Sequence, residues 1–227
     1  MMIERHATKT AKRLAEQFPV IGITGPRQSG KTTLAKAAFP EKKYVTFDDK
    51  KMRTIAESAP DDFLKAFPDG AIIDEAQKVP EIFDAIKLVV DNEKYTPGKF
   101  ILTGSSQFRL KENISDSLAG RIGLINLLPL SIEELKSADL LSDEPYDYVF
   151  GGFYPPLYDS ERSYLKPDWF ENYIDTYLDL DVKEQINPSN VSQFKKLLQL
   201  CAANSGQTVN YEWFSNKLDV SAVTVKS

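Results

Sequence analysis

The alternation of apolar and polar positions divides the chain into two regimes. Residues 3–18 mix Ala, Leu, Lys, Arg and Glu and are closed by Pro19, a pattern that predicts a helix. Val20-Ile21-Gly22-Ile23-Thr24 is then an unbroken apolar run, as expected of a strand buried on both faces. Helix formers fill Thr33 to Phe39 and stop at Pro40, and Tyr44-Val45-Thr46-Phe47 reads as a second strand ending at Asp48-Asp49. Residues 52–67 read as helical in pieces, interrupted at Pro60. The turn pair Asp69-Gly70 leads into the apolar strand Ala71-Ile72-Ile73. From Glu81 to Asp91, Ile82, Phe83, Ile86, Val89 and Val90 recur at helical spacing. Pro97-Gly98 precedes a strand at Phe100 to Thr103, and another runs from Ile122 to Leu127.

Short apolar strands alternating with helices predict an α/β fold built on a parallel sheet. Past Pro129 the strand signal ends. Ser131 and Glu134 form a near capping box that opens a helix, after which Ser137 to Pro145 turns polar and loop-like. Gly151-Gly152-Phe153-Tyr154-Pro155-Pro156 is a turn-rich hinge near a domain boundary. Residues 168–186 predict a helix with Trp169, Tyr173, Ile174, Tyr177 and Leu178 as its apolar stripe. A second helix runs from Val191 to Asn204, with Phe194, Leu197, Leu198 and Cys201 facing inward and Gly206 as its stop. Val209 to Leu218, the turn Asp219-Val220-Ser221 and Ala222 to Lys226 then have the grammar of a helix-turn-helix. Its second helix is about one turn long and marginal by itself, so the chain reads as a fragment of a longer protein. These segments define a core over 1–136, a helical extension over 137–205 and a partial helix-turn-helix over 206–227.

At 227 residues, with 42% hydrophobic and 27% charged positions, the chain can bury a sizeable core. A net charge of −5 gives no sign of a wholesale nucleic-acid or membrane surface. No apolar run approaches a membrane span, and the charged N-terminus lacks a signal peptide's apolar centre. The single cysteine, Cys201, reads as a small core residue in a reducing cytoplasm, and the lone His6 as a surface residue without companion ligands.

Chemistry concentrates at Gly25-Pro26-Arg27-Gln28-Ser29-Gly30-Lys31-Thr32, which satisfies GxxxxGK(S/T) between a strand and a helix. Gly25 and Gly30 let the backbone turn its N–H groups inward as an anion nest, and the following helix adds the positive end of its dipole. Lys31 is placed to reach terminal phosphates and Thr32 to offer its hydroxyl to a magnesium ion, with Thr33 continuing the loop into the helix. Downstream, the strand ending in Asp74-Glu75 reads as a Walker B element. Asp74 would hold the magnesium through water, and Glu75 would orient and deprotonate the attacking water. Thr103 or Ser105, at a strand's C-terminal edge with Gly104 and Ser106, could contact the terminal phosphate or that water, or could serve only as caps. Arg121 could stabilise charge on a transferring phosphoryl group, in its own subunit or a neighbour's, or could form a structural salt bridge. The sequence shows no Asn-Lys-x-Asp tetrapeptide, which favours adenine over guanine.

Taken in order, Gly25 to Leu34, Phe47-Asp48-Asp49, Ile72-Ile73-Asp74-Glu75-Ala76-Gln77, Ile101 to Ser106, Ser117 to Arg121 and Leu128-Pro129-Leu130-Ser131 resemble a family of prokaryotic AAA-type ATPases of the AAA+/STAND-like group. The likeness extends through Tyr173 to Leu178 and Asn204 to Asn210. It implies a P-loop three-layer sandwich with strand order 5-1-4-3-2, a helical extension, a winged-helix segment and, in longer members, a nuclease-like C-terminal domain. It also implies ATP and magnesium as ligands, Thr103 to Ser106 as a sensor region and Arg121 as an arginine finger. One departure is Asp179-Leu180-Asp181, where the family tends to carry an arginine. Three readings follow: an ATPase driving a conformational change in an attached C-terminal module, a nucleotide-dependent switch with little turnover, and a DNA-binding regulator with a vestigial nucleotide site. A finger acting in trans requires at least a homodimer. DNA binding through the helix-turn-helix is a further possibility that the few basic residues after position 205 weigh against.

Overall fold

The computed structural model describes residues 3–92, 96–105, 117–159, 165–177 and 191–226. It divides into two compact units, Met1–Tyr164 and Leu165–Ser227.

The first unit is built on five parallel strands: β1 (Val20–Thr24), β2 (Lys43–Thr46), β3 (Ala71–Asp74), β4 (Phe100–Gly104) and β5 (Ile122–Asn126). Their spatial order is β2-β3-β4-β1-β5, which is the order 5-1-4-3-2 that the resemblance implies. β1 pairs with β4 on one side and β5 on the other, with Ile23 opposite Thr103 and Ile125. Parallel neighbours require helical crossovers, which cover both sheet faces, so β1, β3 and β4 are buried along their whole length.

Alternation along the strands divides the core in two. Val20, Ile73, Phe100 and Leu102 meet Phe47, Phe63, Phe83 and Ile86 on one face. Ile21, Ile23, Ile72, Ile101 and Ile125 meet Leu34, Ala35 and Ala11 on the other. The first cluster is roofed by α3 (Lys50–Ser58), α4 (Pro60–Lys65) and α5 (Glu81–Asn92), the second by α1 (Ala7–Ala15) and α2 (Lys31–Ala38). Pro60 does split the 52–67 region, and it stands in the first turn of α4, where its missing N–H costs nothing. The Asp49 side chain caps α3 by accepting from the amides of Lys51 and Met52.

Two local expectations differ from the structure. The N-terminal helix starts at Ala7 rather than Ile3, because Arg5 is buried and its side chain is committed to distant backbone groups. A helix at Pro145–Gly151 has no periodic signal in the sequence; proline at its first turn and Gly152 at φ 59 mark its ends. The capping box at Ser131 forms as expected, with both reciprocal bonds present, at 2.9 and 3.1 Å.

The second unit is helical in its described residues: Lys166–Tyr177, Val191–Ala203, Tyr211–Leu218 and Ala222–Lys226. Trp169 stacks on Tyr173 and Tyr173 on Tyr177; Trp169 is buried and Tyr173 half-buried, but Ile174 and Tyr177 of the predicted stripe are exposed. Leu178 lies outside the described residues. Phe194, Leu197 and Leu198 are half-buried, but Cys201 is exposed, against the expectation of a core residue. A unit this small has too little interior to enclose every apolar position of each helix. Tyr211–Leu218 and Ala222–Lys226 are joined by a short turn, and no strand that could form a wing occurs among this unit's described residues. No described helix is long and apolar enough to cross a membrane.

Candidate nucleotide site

Three strand ends converge at one edge of the sheet. β1 runs into Gly25, β3 ends at Asp74 and β4 at Gly104, so their C-terminal edge carries the loop, the acidic pair and the small polar residues together. In open parallel sheets this edge, beside the central strand where connections diverge, is where ligands sit.

The loop's glycines are required by its path. Gly25 has φ +147, and a Cβ there would fall 2.1 Å from the Leu127 carbonyl oxygen. Gly30 has φ +93 and caps α2 in the left-handed region. Lys31, buried, donates from Nζ to the carbonyls of Gly25 at 3.0 Å and Pro26 at 2.8 Å. The Ser29 hydroxyl is buried with no hydrogen-bond partner among the described residues. Pro26, Arg27 and Gln28 complete the turn, Gln28 itself at φ 60, while Thr33 lies exposed in the first turn of α2.

The two sequence motifs meet through Asp74. Thr32 Oγ1 donates to its carboxylate at 2.9 and 3.1 Å. Thr103, fully buried, donates to Oδ1 from β4, and Tyr44 donates to Oδ2 from β2 at 2.9 Å. Burial, then the Asp74 hydrogen bond and charge, pushes the Tyr44 phenol from 10.0 up to about 12. The Lys36 ammonium lies 3.4 Å from the centre of the Tyr44 ring.

Glu75 occupies the left-handed region at φ 55, a conformation that costs a non-glycine residue about 1–2 kcal/mol. Its Oε2 accepts from Gln77 Nε2 at 2.5 Å and from Ser105 Oγ at 3.1 Å. Both donors hold the same oxygen, which leaves Oε1 to face another partner. Gln77 is itself buried, and its Oε1 has no hydrogen-bond partner among the described residues.

The donor set fits a nucleotide and a hard divalent cation. A hydroxyl and a single carboxylate are the protein share of a site that substrate phosphates complete, as magnesium sites commonly are. No cluster of three acidic, histidine or cysteine ligands occurs among the described residues, so an all-protein metal cage has no counterpart there.

Lys31, Thr32, Asp74, Glu75, Thr103 and Ser105 are thus brought together. Arg121 is not. Its carbonyl accepts from Val20 N at the opposite, N-terminal edge of the sheet. The five residues of β5 separate it from the loop by about 16 Å. There it forms a bidentate pair with Asp91, at 2.5 and 2.8 Å, which is the salt-bridge alternative. Its hydrogen bond holds the Asp91 carboxyl below the usual carboxylate range. Ser106 and Asp179 to Asp181 lie outside the described residues. Sequence reasoning missed Tyr44, the contact made by Gln77, and Arg5; of these only Gln77 carried a signal, by directly following the acidic motif.

Comparison with known proteins gives three findings. Residues 17–136 match the family described as an AAA domain, and residues 142–227 match a domain of unknown function. Uncharacterized proteins of Mycobacterium tuberculosis and Mycobacterium bovis are each 30% identical over 230 residues, covering 100% of this chain and 50% of each relative. The chain therefore spans about half the length of the curated relatives it matches. A Walker-type ATPase of Pyrococcus abyssi shares the fold at TM-score 0.50 and 15% identity, with 89% of this chain and 77% of that one covered.

Proposed function

The chain belongs to the AAA domain family, and on that premise we propose that it binds ATP with magnesium and hydrolyses it to drive a conformational change in an attached C-terminal module. The observation that carries this reading is the meeting of Thr32 with Asp74, beside a Glu75 whose carboxylate is held from two sides.

Each residue has a role that its position supports. The amides from Arg27 to Thr33 cradle the phosphates, Pro26 having no N–H to offer, and Lys31 exchanges its carbonyl partners for phosphate oxygens. Magnesium, when bound, supplies charge neutralisation on the phosphates, with Thr32 and Asp74 as the residues that hold it. Glu75, through Oε1, takes the proton of the attacking water, while Ser105 and Gln77 fix Oε2. Thr103 orients Asp74 and so senses the state of the site from β4. Arg121 lies too far away to act on the loop of its own chain, so any catalytic role it takes besides its pair with Asp91 is at a neighbouring subunit's site in a homo-oligomer. Residues 1–136 carry the chemistry, and 137–205 with 206–227 transmit it.

The test is phosphate release from ATP at several protein concentrations, for the parent, Glu75→Gln and Arg121→Ala. Turnover that rises with concentration, falls about a hundredfold or more in Glu75→Gln and about a thousandfold in Arg121→Ala is expected. Tight ATP binding with no turnover in the parent leaves the nucleotide-dependent switch instead.

A further inference from the structure

Arg5 precedes the first helix and belongs to no motif, yet it is one of the few buried charges in the first unit. Its guanidinium reaches three elements. Nη1 donates to the Ser29 carbonyl at 2.7 Å, and Nη2 to the carbonyls of Leu128 at 2.7 Å and Pro129 at 3.1 Å. Nε lies 3.1 Å from Glu134 Oε2 in an ion pair whose side chains are 9% and 5% exposed, a charge contact without hydrogen-bond geometry. Glu134 is fixed in turn, because Oε2 accepts from Ser131 N at 2.9 Å and Oε1 from His6 N at 2.7 Å.

We propose that Arg5 is a positioning residue for the phosphate-binding loop, stapling the Ser29 carbonyl to the chain that leaves β5. The reason is the planarity of the peptide unit. In a trans peptide the C=O and the following N–H point in opposite directions. Holding the Ser29 carbonyl against Arg5 therefore fixes the Gly30 N–H on the opposite side of that peptide, away from Arg5. The segment on the other end of the staple already abuts the loop's first glycine, since Leu127 N donates to Thr24 O at 2.7 Å and the Leu127 carbonyl occupies the place of a Gly25 Cβ. Both glycines are thus referenced to one stretch, Leu127 to Pro129. At Gly30 a Cβ would lie 3.3 Å from Arg5 Nη1, so the staple also sits tightly against the loop's second glycine. A lysine cannot replace it, because one ammonium has no rigid fork to span three carbonyls on two separate segments and a carboxylate.

The inference rests on the ATP-binding reading for its purpose but not for its test. Hydrogen exchange of the nucleotide-free protein is measured for the parent, Arg5→Lys, Arg5→Ala and the exposed helix control Lys9→Ala. In Arg5→Lys, exchange about tenfold faster over residues 25–31 and 127–131, with the sheet strands at the parent's rate, is expected. ATP affinity should fall about tenfold in the same variant, the cost of one charge-assisted hydrogen bond. Loop exchange unchanged in Arg5→Lys overturns the proposal. Acceleration spread evenly over the first unit overturns it too, since that marks an ion pair serving stability alone. A parent that binds no ATP defeats the proposed function, while the exchange pattern still decides the role of Arg5.

Discussion

The Thr32 hydroxyl donates to both oxygens of Asp74, at 2.9 and 3.1 Å, across 42 residues of sequence. This contact joins the loop of β1 to the end of β3 and makes one site of two motifs. Thr32→Ala and Asp74→Asn should therefore keep the fold but lose magnesium-dependent binding. In the parent, ATP at about a hundred times its Kd adds about 2.7 kcal/mol, a rise of several degrees in Tm, and chelating the magnesium should remove most of it. Both variants should show the chelated value throughout. A full magnesium-dependent rise in Asp74→Asn counts against the assignment.

Ser105 and Gln77 donate to the same oxygen of Glu75. Removing either should lower kcat with little change in KM, because the carboxylate is misaimed while the phosphates are still held. A loss of about tenfold in each single variant is the scale of one hydrogen bond to a charged group. Shared duty at one atom makes Ser105→Ala with Gln77→Ala non-additive. Strictly additive losses would show that the two residues act at separate places.

Tyr44 gives a pH signature. Its phenol is raised from 10.0 to about 12 by burial first and by Asp74 second. A raised acid is favoured in its protonated form by the fold. Its contribution is complete below about pH 10 and is lost as pH climbs through about 12. Ultraviolet difference titration of the parent against Tyr44→Phe should place this ionisation near 12, and Asp74→Asn should draw it downward. A value unmoved by Asp74→Asn would mean that burial alone sets it.

The Arg121–Asp91 pair is exposed to solvent, so its contribution to stability is small and screened by salt. Urea denaturation of Arg121→Ala should superimpose closely on the parent at neutral pH. Asp91 is held below its ordinary 3.8 by the arginine's hydrogen bond, and whatever the pair adds is lost as pH falls through that depressed value. A marked drop in the urea midpoint at neutral pH would assign Arg121 a structural task and weaken the case for a finger in trans.

Gly25→Ala tests the loop's path. The new Cβ meets the Leu127 carbonyl at 2.1 Å, and that atom is backbone, so either the loop or the chain after β5 must move. Loss of ATP binding together with a lower Tm is the expected outcome, measured by calorimetry. Unchanged affinity would show that the loop tolerates another path.

What the sequence determined by itself is everything set by short-range physics. Short apolar runs placed five strands, and prolines and caps such as Pro60 and Ser131 ended or opened helices. The glycine spacing placed the loop between β1 and α2, and the Asp74-Glu75 pair marked the strand end that faces it. These signals are local, because each residue's conformational preference is felt within a turn or a strand. Tertiary structure decided the rest. It put Arg121 at the far edge of the sheet, left Cys201 exposed, and gave Asp74 a third donor in Tyr44. It also buried Arg5 between a loop, a strand exit and a helix cap. Those outcomes depend on which strands lie side by side and how far a long side chain can reach across them. A buried arginine and a surface one look alike along the chain until the sheet order brings carbonyls within reach of one of them.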